Sequence, residues 1–153
     1  MDVLLKIKEQ LYLKCAEYVS QRMQNVQVAI NSAGESGNDE TKSSAGDKHE
    51  TGRAMMQLEQ EKNGKQLQEV HELQKLFEKI EPSKIATKAQ LGALVLTDKQ
   101  NFYISISAGK MIVENETYWA VSPQAPLAKK LIGLSLGEKM EFNGSFFTIR
   151  EIQ

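Results

Sequence analysis

Two long apolar periods, held apart by a polar stretch, constrain this chain more than any other feature. Residues 2–32 carry apolar positions at Leu4, Ile7, Leu11, Cys15, Val19, Met23, Val26 and Ile30. The steps are three or four throughout, which is one stripe of an amphipathic helix about 45 Å long. A second stripe begins at Met55 and Leu58 and continues through Leu67, Val70, Leu73, Phe77 and Ile80, and Pro82 stops it. Between the two, Asn31 to Arg53 holds five acids, four glycines, four serines and no large apolar side chain. Such a stretch builds no core. Each helix has a single apolar stripe, so one partner helix satisfies it, and the glycines permit the chain to turn back. The expected arrangement over residues 1–80 is an antiparallel coiled-coil hairpin with its tip near 31–53. Pairing between two chains is the alternative. Glu59 to Gln66 is fully polar, and the glycine of Asn63-Gly64 costs about 1 kcal/mol relative to alanine. The second helix is expected to continue through it with local weakness or a bend.

From residue 84 the period shortens to that of strands. Ala93–Thr97 and Phe102–Ile106 are strand-like runs joined by Asp98–Asn101, and Met111–Val113 and Thr117–Val121 flank Glu114-Asn115-Glu116. Leu127–Ile132 reads as a short helix, with Pro126 suited to its first turn and Gly133 to its end. Lys139–Phe142 and Phe146–Ile152 flank Asn143-Gly144, a strong hairpin signal. Residues 84–153 therefore form a small antiparallel sheet with one short helix, and the fold class is α+β. Trp119 and Tyr118 alternate on one strand, so one of its faces is core; Phe146 and Phe147 place one ring inward and one outward.

Composition narrows the function classes. The chain has 153 residues and a net charge of −1, without the basic excess of a general nucleic-acid binder. Residues 1–80 hold 11 basic and 13 acidic side chains, and residues 81–153 hold 8 and 7. No apolar run reaches the roughly 18 residues of a membrane span, and Met-Asp-Val-Leu-Leu-Lys lacks the pattern of a signal peptide. A cytoplasmic protein without membrane contact is expected. The single cysteine excludes an internal disulfide and fits a reducing compartment. Cys15 lies on the apolar stripe as a small core residue. His49 and His71 read as surface residues. No metal-ligand spacing, nucleophile–base pair or phosphate loop is present, so an enzyme acting alone is not expected.

Ser122-Pro-Gln-Ala-Pro-Leu-Ala-Lys-Lys-Leu-Ile-Gly133, followed by Gly137-Glu138, is similar to a pattern of the bacterial Gre transcript-cleavage factors. Ala33-Gly-Glu-Ser-Gly37 and Ala54-Met-Met-Gln-Leu58 resemble the turn region of the same family. The order of helical hairpin, acidic tip and sheet domain matches over nearly the whole chain. The resemblance implies an FKBP-like fold for residues 84–153, docking on the rim of the RNA polymerase secondary channel, with Ser122, Pro123, Pro126 and Gly133 as partner-binding residues. It also implies that the hairpin enters the channel. The family tip carries an Asp and a Glu three apart. Here Asp39 and Glu40 are adjacent, and Asp47 and Glu50 are the pair three apart.

On that reading Asp39 and Glu40 are the first candidates for acids presented to the polymerase active centre, and Asp47 and Glu50 the second. Carboxylates help hold Mg²⁺ and orient an attacking water. The Mg²⁺ belongs to the polymerase, and the chain has no cofactor of its own. The acids would promote cleavage of backtracked RNA, touching nascent RNA only indirectly. The plainer reading is solvated charge; Asp47 and Glu50 also lie near the start of the second helix, where a carboxylate is favoured by about 0.3–1 kcal/mol. Lys42, Lys48 and Arg53 suit polymerase or RNA phosphate contacts, or solvent. A monomer is expected. Two other functions stay open: a channel regulator without cleavage, and, in a different class, an FKBP-like binding protein, isomerase or chaperone, or a coiled-coil scaffold.

Overall fold

The computed structural model describes the backbone at residues 2–41 and 46–153 and the side chains at 3–32 and 52–153. Its elements run α1 (Asp2–Thr41), α2 (Gly46–Glu78), β1 (Leu94–Thr97), β2 (Asn101–Ile104), β3 (Gly109–Val113), β4 (Glu116–Val121), α3 (Pro126–Leu131), β5 (Lys139–Phe142) and β6 (Ser145–Ile152). The layout is α+β, as the periodicity indicates. Two units are distinguished: Met1–Tyr18 with Leu73–Gln153, and Val19–Glu72.

In the first unit the sheet has the order β3-β4-β2-β1-β6-β5. Its pairings are antiparallel except one: β2 and β4 run parallel, with Phe102 beside Trp119 and Ile104 beside Val121. The sequence pattern leads to an antiparallel sheet throughout. The exception arises because the chain passes from β2 to the sheet edge as β3. It then reverses at Glu114-Asn115, both with positive φ (52° and 68°), and β4 inserts between β3 and β2. The β5–β6 reversal uses Asn143 and Gly144, with φ of 51° and 81°, so this Asn-Gly performs the two-residue turn its dipeptide favours. Strand β6 serves two neighbours. Residues 145–148 pair with β5 and 149–152 with β1, and the β1 register shifts between Leu96 and Thr97.

Both faces of this sheet are packed. On one side Val95, Phe102, Ile104, Met140, Phe147 and Ile149 join Ala86, Ala89, Ala93 and Leu131 in a core against which Trp119 and Val121 are half-buried. Phe102 and Phe147 meet edge to face at 6.0 Å between centroids. On the other side Tyr103 and Ser105 meet α1, where Cys15 Sγ lies 3.6 Å from Ser105 Oγ. Tyr12 stacks on Phe77 at 4.7 Å. A fully buried Leu or Ile contributes about 1.5–3 kcal/mol, and Leu11, Leu94, Ile104, Ile106, Leu131 and Ile149 all qualify. The Tyr118–Trp119 expectation is thus exceeded: Tyr118 and Trp119 face opposite sides, and each is at least half covered. Phe147 is inward and Phe146 is 61 % exposed, as alternation requires.

In the second unit α1 and α2 are antiparallel. Arg22 pairs with Glu69 at 3.9 Å, and Asn63 Nδ2 donates to Ala29 O at 3.4 Å, so partner numbers fall on α2 as they rise on α1. Val19, Val26 and Val70 are buried, and so is Asn63. Helix α2 continues through Asn63-Gly64 as expected. Three apolar positions of the expected stripes are corrected: Met55 and Leu58 are 66 % and 65 % exposed, and Ile30 is 37 % exposed. The inward positions instead follow Met56, Asn63 and Val70, a seven-residue repeat in which Met56 is half-buried. The helices also extend beyond the expected 31–53 boundary, to Thr41 on one side and from Gly46 on the other. Propagating a helix from a packed base requires no core of its own, because each added residue gains one hydrogen bond at near-neutral free energy.

Candidate functional site

The four acids singled out by sequence are placed by backbone alone. Asp39 and Glu40 fall within α1 and Asp47 and Glu50 within α2, on the two sides of the connection between the helices. Their side chains lie outside the described residues, as do those of Lys48 and His49; Lys42 lies outside them altogether.

The other group is fully described. Ser122 through Glu138 form one continuous ribbon: a turn, helix α3 and a second turn. Ser122 O accepts from Ala125 N at 3.0 Å, and its Oγ accepts from Gln124 N at 3.1 Å. Pro126 is the first residue of α3 and uses a position where no N–H is needed. Helix α3 turns Ala128 and Leu131 into the core. It ends at Leu131 with Ile132 as its cap, and Gly133 follows with a φ of 93° that favours glycine. Gly133 N donates to Ala89 O at 2.8 Å, and Ala89 N returns a bond to Leu134 O at 2.9 Å. Beyond it Glu138 Oε1 accepts from Ser135 N at 2.9 Å, and Lys130 Nζ donates to Glu141 O at 2.9 Å. Ser122, Pro123, Pro126 and Gly133 thus lie along one hydrogen-bonded ribbon. Its exposed apolar side chains, Ile132 at 40 % and Leu136 at 64 %, were not flagged by the sequence reading.

Two further polar groups escaped that reading. Lys8 is 1 % exposed, and its ammonium donates to Lys84 O at 2.7 Å and Gln153 O at 3.0 Å. Burial holds its pKa below the ordinary value. The signal was available: Leu4, Lys8, Leu11 and Cys15 step by four, three and four, so a lysine stands inside the apolar stripe. Tyr103 is fully buried and its hydroxyl has no hydrogen-bond partner among the described residues. Burial, together with Cys15 and Tyr12 nearby, pushes that phenol upward. Burial also pushes the Cys15 thiol up to about 11, against a smaller opposing effect of the Ser105 hydrogen bond, so Cys15 is a core group rather than a reactive thiolate.

Four rings of the first unit gather in its core. Phe102 and Phe147 lie in the core, and Trp119 and Phe142 pack against it. A small pocket of about 80 Å³ is lined by Lys79, Glu81, Lys84, Ala86, Gln90, Leu91 and Gly92. Among the described residues no three His, Cys, Asp or Glu side chains gather as a metal site, and no helix is long and apolar enough to cross a membrane. Comparison with protein-family models, with curated proteins and with solved structures gives no match in any of the three.

Proposed function

We propose that this chain is an RNA polymerase-binding factor of the Gre type, acting in the cytoplasm. In this reading residues 84–153, FKBP-like in the sense of that family, dock on the polymerase through the Ser122–Gly133 ribbon, and the α1–α2 hairpin enters the secondary channel. Asp39 and Glu40 are presented to the catalytic Mg²⁺ of the polymerase, where added carboxylates help hold the metal and orient water against backtracked RNA. The polymerase performs the chemistry and the chain supplies groups to it.

The observation that carries this reading is the order of parts. Two antiparallel helices carry acids on both sides of the connection between them, and a small sheet follows whose motif residues form one ribbon. The direct experiment is cleavage of labelled RNA in a stalled, backtracked polymerase complex. Wild type should shorten the RNA from its 3′ end, and an Asp39→Ala, Glu40→Ala double variant should not. Shortening by both assigns the work to other groups, Asp47 and Glu50 first. Shortening by neither, with binding retained, leaves a regulator that occupies the channel without cleavage. The adjacent spacing of Asp39 and Glu40, unlike the three-apart family pair, favours that second reading specifically.

A further inference from the structure

The chain holds two Asn-Gly pairs, Asn63-Gly64 and Asn143-Gly144, and the fold treats them in opposite ways. In this dipeptide the backbone nitrogen of glycine can approach the side-chain amide before it, because no Cβ crowds the path. Asn63 is 3 % exposed, and its Nδ2 donates to Ala29 O at 3.4 Å. Gly64 lies inside α2, where its N–H belongs to the helix ladder. Asn143 and Gly144 instead form the turn between β5 and β6, and both are exposed. The N–H of Gly144 joins no backbone hydrogen bond among the described residues, and the space where its Cβ would stand is empty to 4 Å. Strand β5 is an edge of the sheet and pairs with β6 over four residues, so this tip frays without opening the core.

We propose that Asn143 is a site of spontaneous covalent modification, converting to aspartate and isoaspartate through a cyclic imide, while the fold protects Asn63 from the same reaction. Fraying releases Asn143 from its φ of 51° and brings the deprotonated Gly144 nitrogen onto Asn143 Cγ. A bond forms between that nitrogen and Cγ, the Cγ–Nδ2 bond breaks, and the side-chain nitrogen leaves as ammonia after taking up a proton. Water then opens the imide. Cleavage at Cγ gives aspartate; cleavage at the main-chain carbonyl carbon gives isoaspartate, whose main chain runs through Cβ. No atom is oxidised or reduced, and water is the only co-reactant. Isoaspartate lengthens a turn whose two residues set the pairing of Phe142 with Ser145, so it works against that register. The strand it loosens carries the buried Met140 and the Glu141 carbonyl that accepts from Lys130.

The test is to hold the native full-length chain in mildly alkaline buffer for weeks and follow it by peptide mapping with mass spectrometry. The Asn143 peptide should gain the mass difference between amide and acid, and aspartate and isoaspartate forms should separate. Asn63 should convert at least about tenfold more slowly. In strong denaturant the two sites should convert within about threefold of each other, because neither turn nor helix remains to separate them. Amide hydrogens of residues 139–148 should exchange severalfold faster in the aged chain than in the fresh one. Asn143→Gly keeps a two-residue turn of the same kind and should show no such loosening after the same treatment. Equal rates for Asn143 and Asn63 in the native chain overturn the proposal, as does an Asn143 that stays intact. A tenfold difference that persists in denaturant also overturns it, since the fold would then not be its cause. Equal loosening of aged Asn143→Gly would assign the effect to another site and overturn its link to this turn.

Discussion

The two units hold the same pair of helices in different ways. In the first, α1 lies against a sheet: Ile7, Leu11 and Cys15 are buried, and Lys8 is clamped between two main-chain carbonyls. In the second, each helix has only the other. The buried seam there is Val19, Val26 and Val70, with Asn63 among them, and Val28, Met55 and Leu58 are 58 %, 66 % and 65 % exposed. A sheet covers a broad stripe of a helix, whereas a single partner helix covers a narrow one. Side chains at the margin of the stripe are therefore core in one unit and surface in the other. Stability should concentrate in the first unit, and the second should open more readily.

The largest test of that contrast is Ile104→Ala. Ile104 is fully buried on a central strand, and the substitution should cost about 2–5 kcal/mol in chemical denaturation. A loss below 1 kcal/mol would remove the sheet as the seat of stability. Next is Lys8→Met, which leaves two carbonyls without their donor and should cost about 2 kcal/mol. It also predicts a pH effect of definite sign. The unfolded chain binds this proton more tightly than the folded one, because burial lowers the folded pKa from 10.5. Wild-type stability therefore gains from Lys8 as pH rises toward that value, and Lys8→Met should lack the gain. Tyr103→Phe removes a buried hydroxyl without a partner and should stabilise by about 1 kcal/mol; a loss would mean that the hydroxyl is bonded in solution. The smallest effect belongs to the second unit. Asn63→Leu should slow hydrogen exchange around Val26 and Val70 by no more than about 1 kcal/mol equivalent, since a polar seam residue fixes register at some cost in stability. Faster exchange there would show that Asn63 holds the helices together.

These residues also show what was legible in the sequence. The strands and α3 stand within two residues of their apolar runs, and Pro126, Gly133 and Asn143-Gly144 do locally what their backbones favour. These are short-range effects, set by neighbours in the chain. The parallel β2–β4 pair was not legible, because periodicity says nothing about which strands meet. The run Phe102–Ile104 did hold a clue: consecutive apolar and aromatic residues mark a strand covered on both faces. The helix ends near Thr41 and Gly46 were missed for the opposite reason. Composition reports whether a segment can build a core, not whether a helix already started elsewhere will continue through it. Lys8 and Asn63 were legible by spacing and were passed over by type, since a polar residue inside an apolar stripe reads as a gap until its partner is seen. Within the candidate site, the Ser122–Gly133 ribbon follows from local rules, while the role of Asp39 and Glu40 depends on a partner that the chain's own physics does not specify.

The most direct test of the functional account is binding itself. Fluorescently labelled full-length chain would be titrated with bacterial core RNA polymerase and followed by anisotropy. The account predicts saturable one-to-one binding with a Kd of about 1 μM or tighter. Absence of saturable binding at about a hundred times that concentration would contradict it.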